Sequence, residues 1–440
     1  MMDEANIVRT EFNKAIAEAV AFAKLDAMGE GIALSRNRKL PPDRVMKMVC
    51  FFGGNSLTKE IYDYPGVDCT VSSFVEARSK VTPEMFYDAL MRFNAQCSAD
   101  TFLHKGYRLV GIDATCINTA YSPQSSSFVP NSGSAKGGGK MYRATAFVDL
   151  LSRVPVDIGL TTTRQGEFST ALGMLAFNPP AVPTVFVADR LYSSYSFIGE
   201  LQAMKNTEFV IRTKSGAGAL KPIQRLPMDS EYDEDLQIVL TDSQSKASKE
   251  AGHIYVPTGS KRGKVNSPNT YISKFSQPLP YVMNIRAVRV KLPNGDWEVL
   301  LTSLPRSEFS TEEITEIYKL RWNIELYFRH IKYDCGLTHM HCRLEKHSQQ
   351  QIFATFLASS AIWRIINTVA LEQRTDLTYE YALNIKMASY LIRLFLRDPK
   401  AKSDQLLCDL KRYVVPIRPD RSEERNLVTK SFVPLVYRVA

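Results

Sequence analysis

Phe12, Ala15, Ile16, Ala19, Val20 and Phe22 recur at helical spacing near the start of the chain, and Gly53-Gly54-Asn55 and Tyr64-Pro65-Gly66 punctuate the next fifty residues as turns. Residues 1–100 therefore read as a helical region. From residue 107 the apolar positions close up into runs of strand length, 107–112, 144–151, 154–160 and 184–188, separated by turns and by helix-like stretches such as Glu167–Phe177. That alternation is an α/β pattern. Residues 215–305 break it with polar, Pro- and Gly-containing sequence and short β-like runs at 253–256, 281–290 and 298–302, which read as a β-rich insertion. After Thr311 the chain turns helical and stays so through about residue 412.

Three helical segments carry further information. Residues 352–363 are apolar and closed by Arg364; they are too short for the ~20 residues that span a bilayer, so they read as a buried helix. Residues 70–80 place Ser72 or Ser73 at an N-cap with Glu76 completing a capping box, and leave Arg78 and Lys80 exposed, either against DNA or on an ordinary solvated face. Residues 311–332 open with Ser310 or Thr311 ahead of Glu313 and run without Pro or Gly as far as Cys335. On this helix Ile317, Leu320, Ile324, Phe328 and Ile331 form an apolar stripe. Tyr318, Arg321, Glu325 and Lys332 share a narrow strip beside it, at ~100° per residue.

Composition narrows the class without choosing a function. The 440 residues are 45% hydrophobic, enough for a real core without disulfides or a structural metal. A formal charge of +9 favours a polyanionic partner. Residues 251–290 hold Lys261, Arg262, Lys264, Lys274, Arg286 and Arg289 and no acid, which suits a phosphate-tracking surface or a solvated basic loop; residues 391–440 carry a net +5. The seven cysteines are scattered with no CxxC pair, which argues against a disulfide framework and fits a reducing cytoplasm. The opening Met1-Met2-Asp3-Glu4 carries acids where a secretory signal carries Lys or Arg. The glycine-rich stretch 132–140 lacks the ending of a phosphate-binding loop. Cys335, His339, His341 and Cys342 lack the spacing of a common zinc site, and His104 and His330 have no nucleophile partner recognisable in the sequence.

Two acids close strand-like runs, Leu109-Val110-Gly111-Ile112-Asp113 and Val185-Phe186-Val187-Ala188-Asp189. In open α/β sheets the crevice beyond the strand carboxyl ends is where ligands bind, and a carboxylate there can hold a cation. Asp is also a common turn residue, which is the alternative for each alone. Likewise Arg321 and Glu325 are either an i,i+4 pair at a solvated margin or a cation–carboxylate strip suited to gripping phosphate beside bound cations.

Tyr318, Arg321, Glu325 and Lys332 reproduce the spacing of the YREK signature of the DDE transposases of bacterial cut-and-paste insertion sequences, which the chain thereby resembles. Such a match arises by chance on the order of once in a few hundred chains of this size. Leu300-Leu301-Thr302-Ser303, Arg321-Trp322, Ile324-Glu325, Ala188-Asp189-Arg190 and Gly111-Ile112-Asp113 also look like that family. The resemblance covers roughly residues 70–365 and is strongest at 297–337.

The resemblance implies an RNase H-like α/β core interrupted by a β-rich insertion and flanked by helical regions. Residues 1–100 would bind DNA ends, 101–214 form the first part of the core, 215–305 the insertion, 306–345 the part carrying the catalytic Glu helix, and 346–440 a helical region for assembly. It implies Asp113, Asp189 and Glu325 as catalytic ligands of two divalent cations, Mg²⁺ with Mn²⁺ as a substitute. Tyr318, Arg321 and Lys332 would hold a phosphate of the complementary strand. Arg212 and Lys214 would contact the DNA backbone or be plain surface charges, and Trp297 would stack on a flipped base. Trp297 lies five residues before Thr302, where a relative has its Trp four before, and one residue reverses a side chain's face on a strand. Water would first nick the transposon end, and the freed 3′-OH would later attack target DNA. The implied partners are double-stranded DNA, at inverted-repeat ends and target, and a second copy of the chain on DNA; no membrane is implied, and the setting is the bacterial cytoplasm at the nucleoid. A metal-dependent nuclease or resolvase on the same fold, and a non-catalytic DNA-binding regulator, remain as alternatives.

Overall fold

The computed structural model of the protein describes residues 2–28, 39–96, 102–119, 128–130, 138–162, 165–257, 275–340, 342, 344–373 and 378–418. Lys261, Arg262, Lys264, Lys274, His341, positions 132–137 of the glycine-rich stretch and the basic residues after 418 lie outside them.

The predicted N-terminal helices are α1 (Met2–Met28), α2 (Pro42–Cys50), α3 (Leu57–Tyr62), α4 (Val71–Ser79) and α5 (Pro83–Gln96). Strands come next: β1 (Arg108–Thr119), β2 (Phe128–Pro130), β3 (Gly138–Asp149) and β4 (Pro155–Thr162). Then α6 (Glu167–Phe177), β5 (Thr184–Ala188), α7 (Tyr195–Ala203) and β6 (Thr207–Thr213) complete the α/β alternation. The stretch expected to be β-rich supplies β7 (Tyr232–Thr241), α8 (Lys246–Glu250), β8 (Ile254–Tyr255), β9 (Tyr281–Lys291) and β10 (Trp297–Thr302). The remainder is α9 (Thr311–Lys319), α10 (Trp322–Arg329), a π-helical turn (His330–Asp334), α11 (Glu345–Thr368), β11 (Tyr381–Leu383), α12 (Ile385–Arg397), α13 (Ser403–Arg412) and β12 (Val414–Pro416).

Among the described residues one ten-stranded mixed sheet organises these elements, in the order β2-β3-β1-β5-β6-β10-β9-β7-β8 with β4 also on β3. The β1, β3 and β4 pairings are antiparallel, whereas β5 and β6 run parallel to β1. β10 joins β6 antiparallel, so the later strands extend the same sheet. Every residue of β5 is buried, as the unbroken apolar run Thr184–Ala188 requires of a strand covered on both faces.

The two faces have separate cores. Leu109, Val185, Val187, Val210 and Leu300 pack with Ile314, Ile317, Ile324 and the apolar side of α11. Val110, Ile112, Phe186, Phe209 and Ile211 pack with α6 and α7 on the other face. The N-terminal helices share the first core, with α1, α2 and α5 lying directly on α11. The apolar run 352–363 is the buried middle of α11, and no helix among the described residues is long and apolar enough to cross a membrane.

Two local expectations need correction. The cap of α4 is Thr70, whose side chain accepts from the Ser73 amide, because the helix starts two or three residues earlier than a Ser72 or Ser73 cap requires. Arg78 is not exposed: only 3% of it reaches solvent. Its Nε donates to Gln350 Oε1 at 2.8 Å and its Nη2 to the His347 carbonyl at 2.9 Å, joining α4 to α11. Lys80 instead pairs with Glu76 at 2.6 Å.

Candidate active site

Alternation along β1 sends Leu109 and Gly111 to the face covered by α9–α11, and Asp113 comes two residues on. Asp113 does not end the strand, which continues to Thr119, but it lies one residue past the last parallel pair, Ile112 with Ala188. Asp189 comes directly after β5, and its Oδ1 accepts from the Leu191 amide at 2.8 Å. The two aspartates thus emerge side by side where parallel pairing stops.

Glu325 arrives on α10. The capping box at Ser310 and Glu313 starts α9 as the sequence predicts, but the helix does not run unbroken to Lys332. At Leu320–Arg321 the amides of Arg321, Asn323 and Ile324 take tight i→i−3 bonds, and after Arg329 the backbone opens into the π turn. Three contacts fix α10. A Cβ on Gly111 would lie 2.6 Å from Leu150 Cδ2 and at an ordinary contact distance of 3.6 Å from Ile324 Cβ, so the bare glycine makes room for the Leu150 side chain beside α10. Asn323 Nδ2 donates to the Leu150 carbonyl at 2.9 Å, and the Tyr327 hydroxyl meets Ser359 Oγ of α11 at 2.7 Å.

Arg321 sits between the acids. Its Nη2 donates to Glu325 Oε1 at 2.7 Å and its Nη1 lies 3.8 Å from Asp113 Oδ2. Burial pulls the guanidinium pKa down, but the Tyr318 ring and the two carboxylates outweigh it and raise it. Asp113 is pushed up to about 6, first by burial and then by the charges of Asp189 and Glu325, against the Ala114 amide and Arg321.

The remaining predicted residues divide. Tyr318 is buried, with Arg321 Cζ 5.8 Å from its ring centroid. Arg212 pairs with buried Glu298 at 3.3 Å, and both lie in the field that acts on the Tyr318 phenol. Lys332, in the π turn, is half-buried, which lowers its pKa, and it senses Cys116 on β1. Lys214 is exposed just past β6. Trp297 stands apart: it alternates with Glu298 on β10, and its ring is covered by Arg289 Cζ at 4.5 Å and approached by Lys291 Nζ at 5.7 Å.

Two features were not legible in the sequence. Glu167, the first residue of α6, feels Asp113 and Asp189 and is pushed up to about 7, mainly by burial and then by Asp113, with Arg143 opposing. Its only sequence mark is a place at a helix start. His330 does have a thiol neighbour, with Nε2 3.3 Å from Cys335 Sγ and Nδ1 3.4 Å from Asp334 Oδ2, brought there by the π turn. Being only 3% exposed, His330 offers no substrate access.

Among the described residues no three His, Cys, Asp or Glu side chains stand as a ready cage for an ion; a guanidinium lies between Asp113 and Glu325 instead. The donor set is nevertheless of hard carboxylate oxygens, which suits Mg²⁺ or Mn²⁺. A cavity of about 580 Å³ between α1, α5 and α11 holds none of these groups.

The family model described as "Transposase DDE domain" matches residues 104–360. The putative transposase InsL of insertion sequence element IS186A from Escherichia coli (strain K12) is 40% identical over 68 residues, 16% of this chain and 18% of that protein. The transposase for insertion sequence element IS421 from Escherichia coli gives the same 40% over 68 residues, so the matched stretch spans under a fifth of either relative. Among solved structures, a piggyBac transposase synaptic complex with hairpin DNA is similar at a TM-score of 0.46 and 8% identity, over 96% of this chain and 87% of that one.

Proposed function

Because the chain belongs to the transposase DDE domain family, we propose that it is an insertion-sequence transposase that cuts DNA at transposon ends and joins them to target DNA. The reading is supported by Asp113 of β1 lying in the field of Asp189 after β5 and of Glu325 on α10, with Arg321 of the same strip next to both Asp113 and Glu325. The order β4-β3-β1-β5-β6, with β5 and β6 parallel to β1, supports reading this part as the RNase H-like core that the resemblance implies. On this reading β7–β10 are the insertion, α1–α5 the end-binding region and the helices after residue 346 the assembly region.

Asp113, Asp189 and Glu325 would hold two Mg²⁺, for which Mn²⁺ substitutes; when bound they would stabilise the attacking and leaving oxygens of an in-line phosphoryl displacement. The protein's own part is placement and charge. Arg321 and the Tyr318 hydroxyl present donors to a DNA phosphate, and Arg321's planar fork suits a bidentate grip. Lys332 adds an ammonium whose proton burial loosens. Arg212 and Lys214 extend the basic track along β6. Trp297, with Arg289 and Lys291 against it, would offer a base-stacking surface on the other face of β10. Water is the nucleophile for the first cut and the released 3′-OH for joining. Two ends require two copies, so a homodimer on DNA belongs to the proposal, as does a place at the nucleoid of a bacterial cytoplasm.

The test is purified protein with Mg²⁺, a labelled duplex carrying the element's own end, and a target plasmid. A cut that exposes a 3′-OH and then joins the target supports the transposase. Metal-dependent cutting without joining selects the nuclease, and binding without cutting the regulator.

A further inference from the structure

We propose that Glu167 is a fourth carboxylate of the cation-binding site and that the Tyr192 hydroxyl works with it, an inference that rests on reading Asp113, Asp189 and Glu325 as that site. Glu167 opens α6, which lies across β1, β3 and β4 on the face opposite α10. The three family carboxylates and Glu167 therefore approach the end of the parallel pairing from both sides of the sheet. A stack of rings fixes this geometry: Phe168 meets Phe197 at 5.8 Å, and Phe197 meets Tyr192 at 5.1 Å. Tyr192 in turn donates its amide to the Asp189 carbonyl at 3.1 Å, so the start of α6 and the turn carrying Asp189 are one packed unit.

The Tyr192 hydroxyl is the second observation. The residue is wholly buried, and its hydroxyl has no hydrogen-bond partner among the described residues. The charges it senses are Glu167 first, then Asp113 and Asp189, with Arg143 opposing. A phenol O–H sealed among carboxylates and bonded to none of them needs an acceptor, and water on a bound cation is one.

The experiment is titration of the full chain with Mn²⁺ in the absence of DNA, with electron paramagnetic resonance reading the free ion. Wild type is compared with Glu167→Gln, Tyr192→Phe and Asp113→Asn, and thermal melting without metal confirms that each is folded. Glu167→Gln is expected to raise the Mn²⁺ Kd by about tenfold or more, and Tyr192→Phe to raise it in the same direction. An unchanged Kd for both, with Asp113→Asn weakened, overturns the role of Glu167 alone. An unchanged Kd for all three overturns the reading of the carboxylates as a cation site and this inference with it.

Discussion

Arg321 Nη2, at the N-cap of α10, stands 2.7 Å from Glu325 Oε1 in the first turn of the same helix. Taken alone this is an ordinary i,i+4 pair, but the guanidinium also lies within 3.8 Å of Asp113. Arg321 therefore neutralises the same acids that are proposed to bind divalent cations, and on that proposal the two would compete.

Arg321→Ala is accordingly expected to tighten Mn²⁺ binding about threefold while weakening binding of the end duplex about tenfold. Ion titration and a gel-shift series on the same preparation check both signs. Weaker Mn²⁺ binding in this variant would mean that Arg321 supports the ion's site and does not compete for it.

Gly111→Ala tests the packing of Leu150 between β1 and α10. The added methyl meets Leu150 at 2.6 Å, so the variant is expected to lose ~1–3 kcal/mol of stability, read as a lower urea midpoint at unchanged slope. Cleavage should fall as well, because Leu150, which must give way to the methyl, holds α10 through its carbonyl and Asn323.

The raised proton affinity of Asp113 gives stability a pH signature. Its folded pKa, about 6, lies above the ~3.9 of an aspartate in an unfolded chain, so the folded state binds the proton more tightly. Its contribution is fully present below pH ~4 and is lost as pH rises through about 6, on the order of 2 kcal/mol without metal. The stability difference between wild type and Asp113→Asn, measured from pH 4 to 8 by urea unfolding, should therefore move against the wild type as pH rises. Saturating Mg²⁺ should cancel the trend.

Arg78 is a structural residue, although its place on a short basic helix suggests one that meets DNA. Arg78→Ala leaves Gln350 Oε1 and the His347 carbonyl buried without their donor, at a cost of ~2–4 kcal/mol. Thermal unfolding should show that loss, whereas DNA affinity per folded molecule should stay within about twofold of wild type.

Legibility in the chain varies from element to element. β5 and α6 are legible to the residue because an unbroken apolar run and a clean helical stretch leave few alternatives. Asp113 and Asp189 are legible as acids after apolar runs, yet β1 continues to Thr119 because its later residues pair with β3, a partner that local pattern does not reveal. Arg78 reads as exposed because nothing within α4 announces Gln350, 272 residues away. The break at Leu320–Arg321 has no Pro or Gly to announce it, since both residues are good helix formers. Glu167 carries no motif, and only the placing of α6 across β1 brings it near the two aspartates.

The measurement that bears most directly on the account is end cleavage by Asp113→Asn, Asp189→Asn and Glu325→Gln, assayed one by one in Mg²⁺ beside binding of the same duplex in Ca²⁺. Each variant is expected to bind the end within a few fold of wild type and to lose cleavage by about a thousandfold or more. Cleavage within tenfold of wild type in any one of the three would remove that carboxylate from the site and contradict the account.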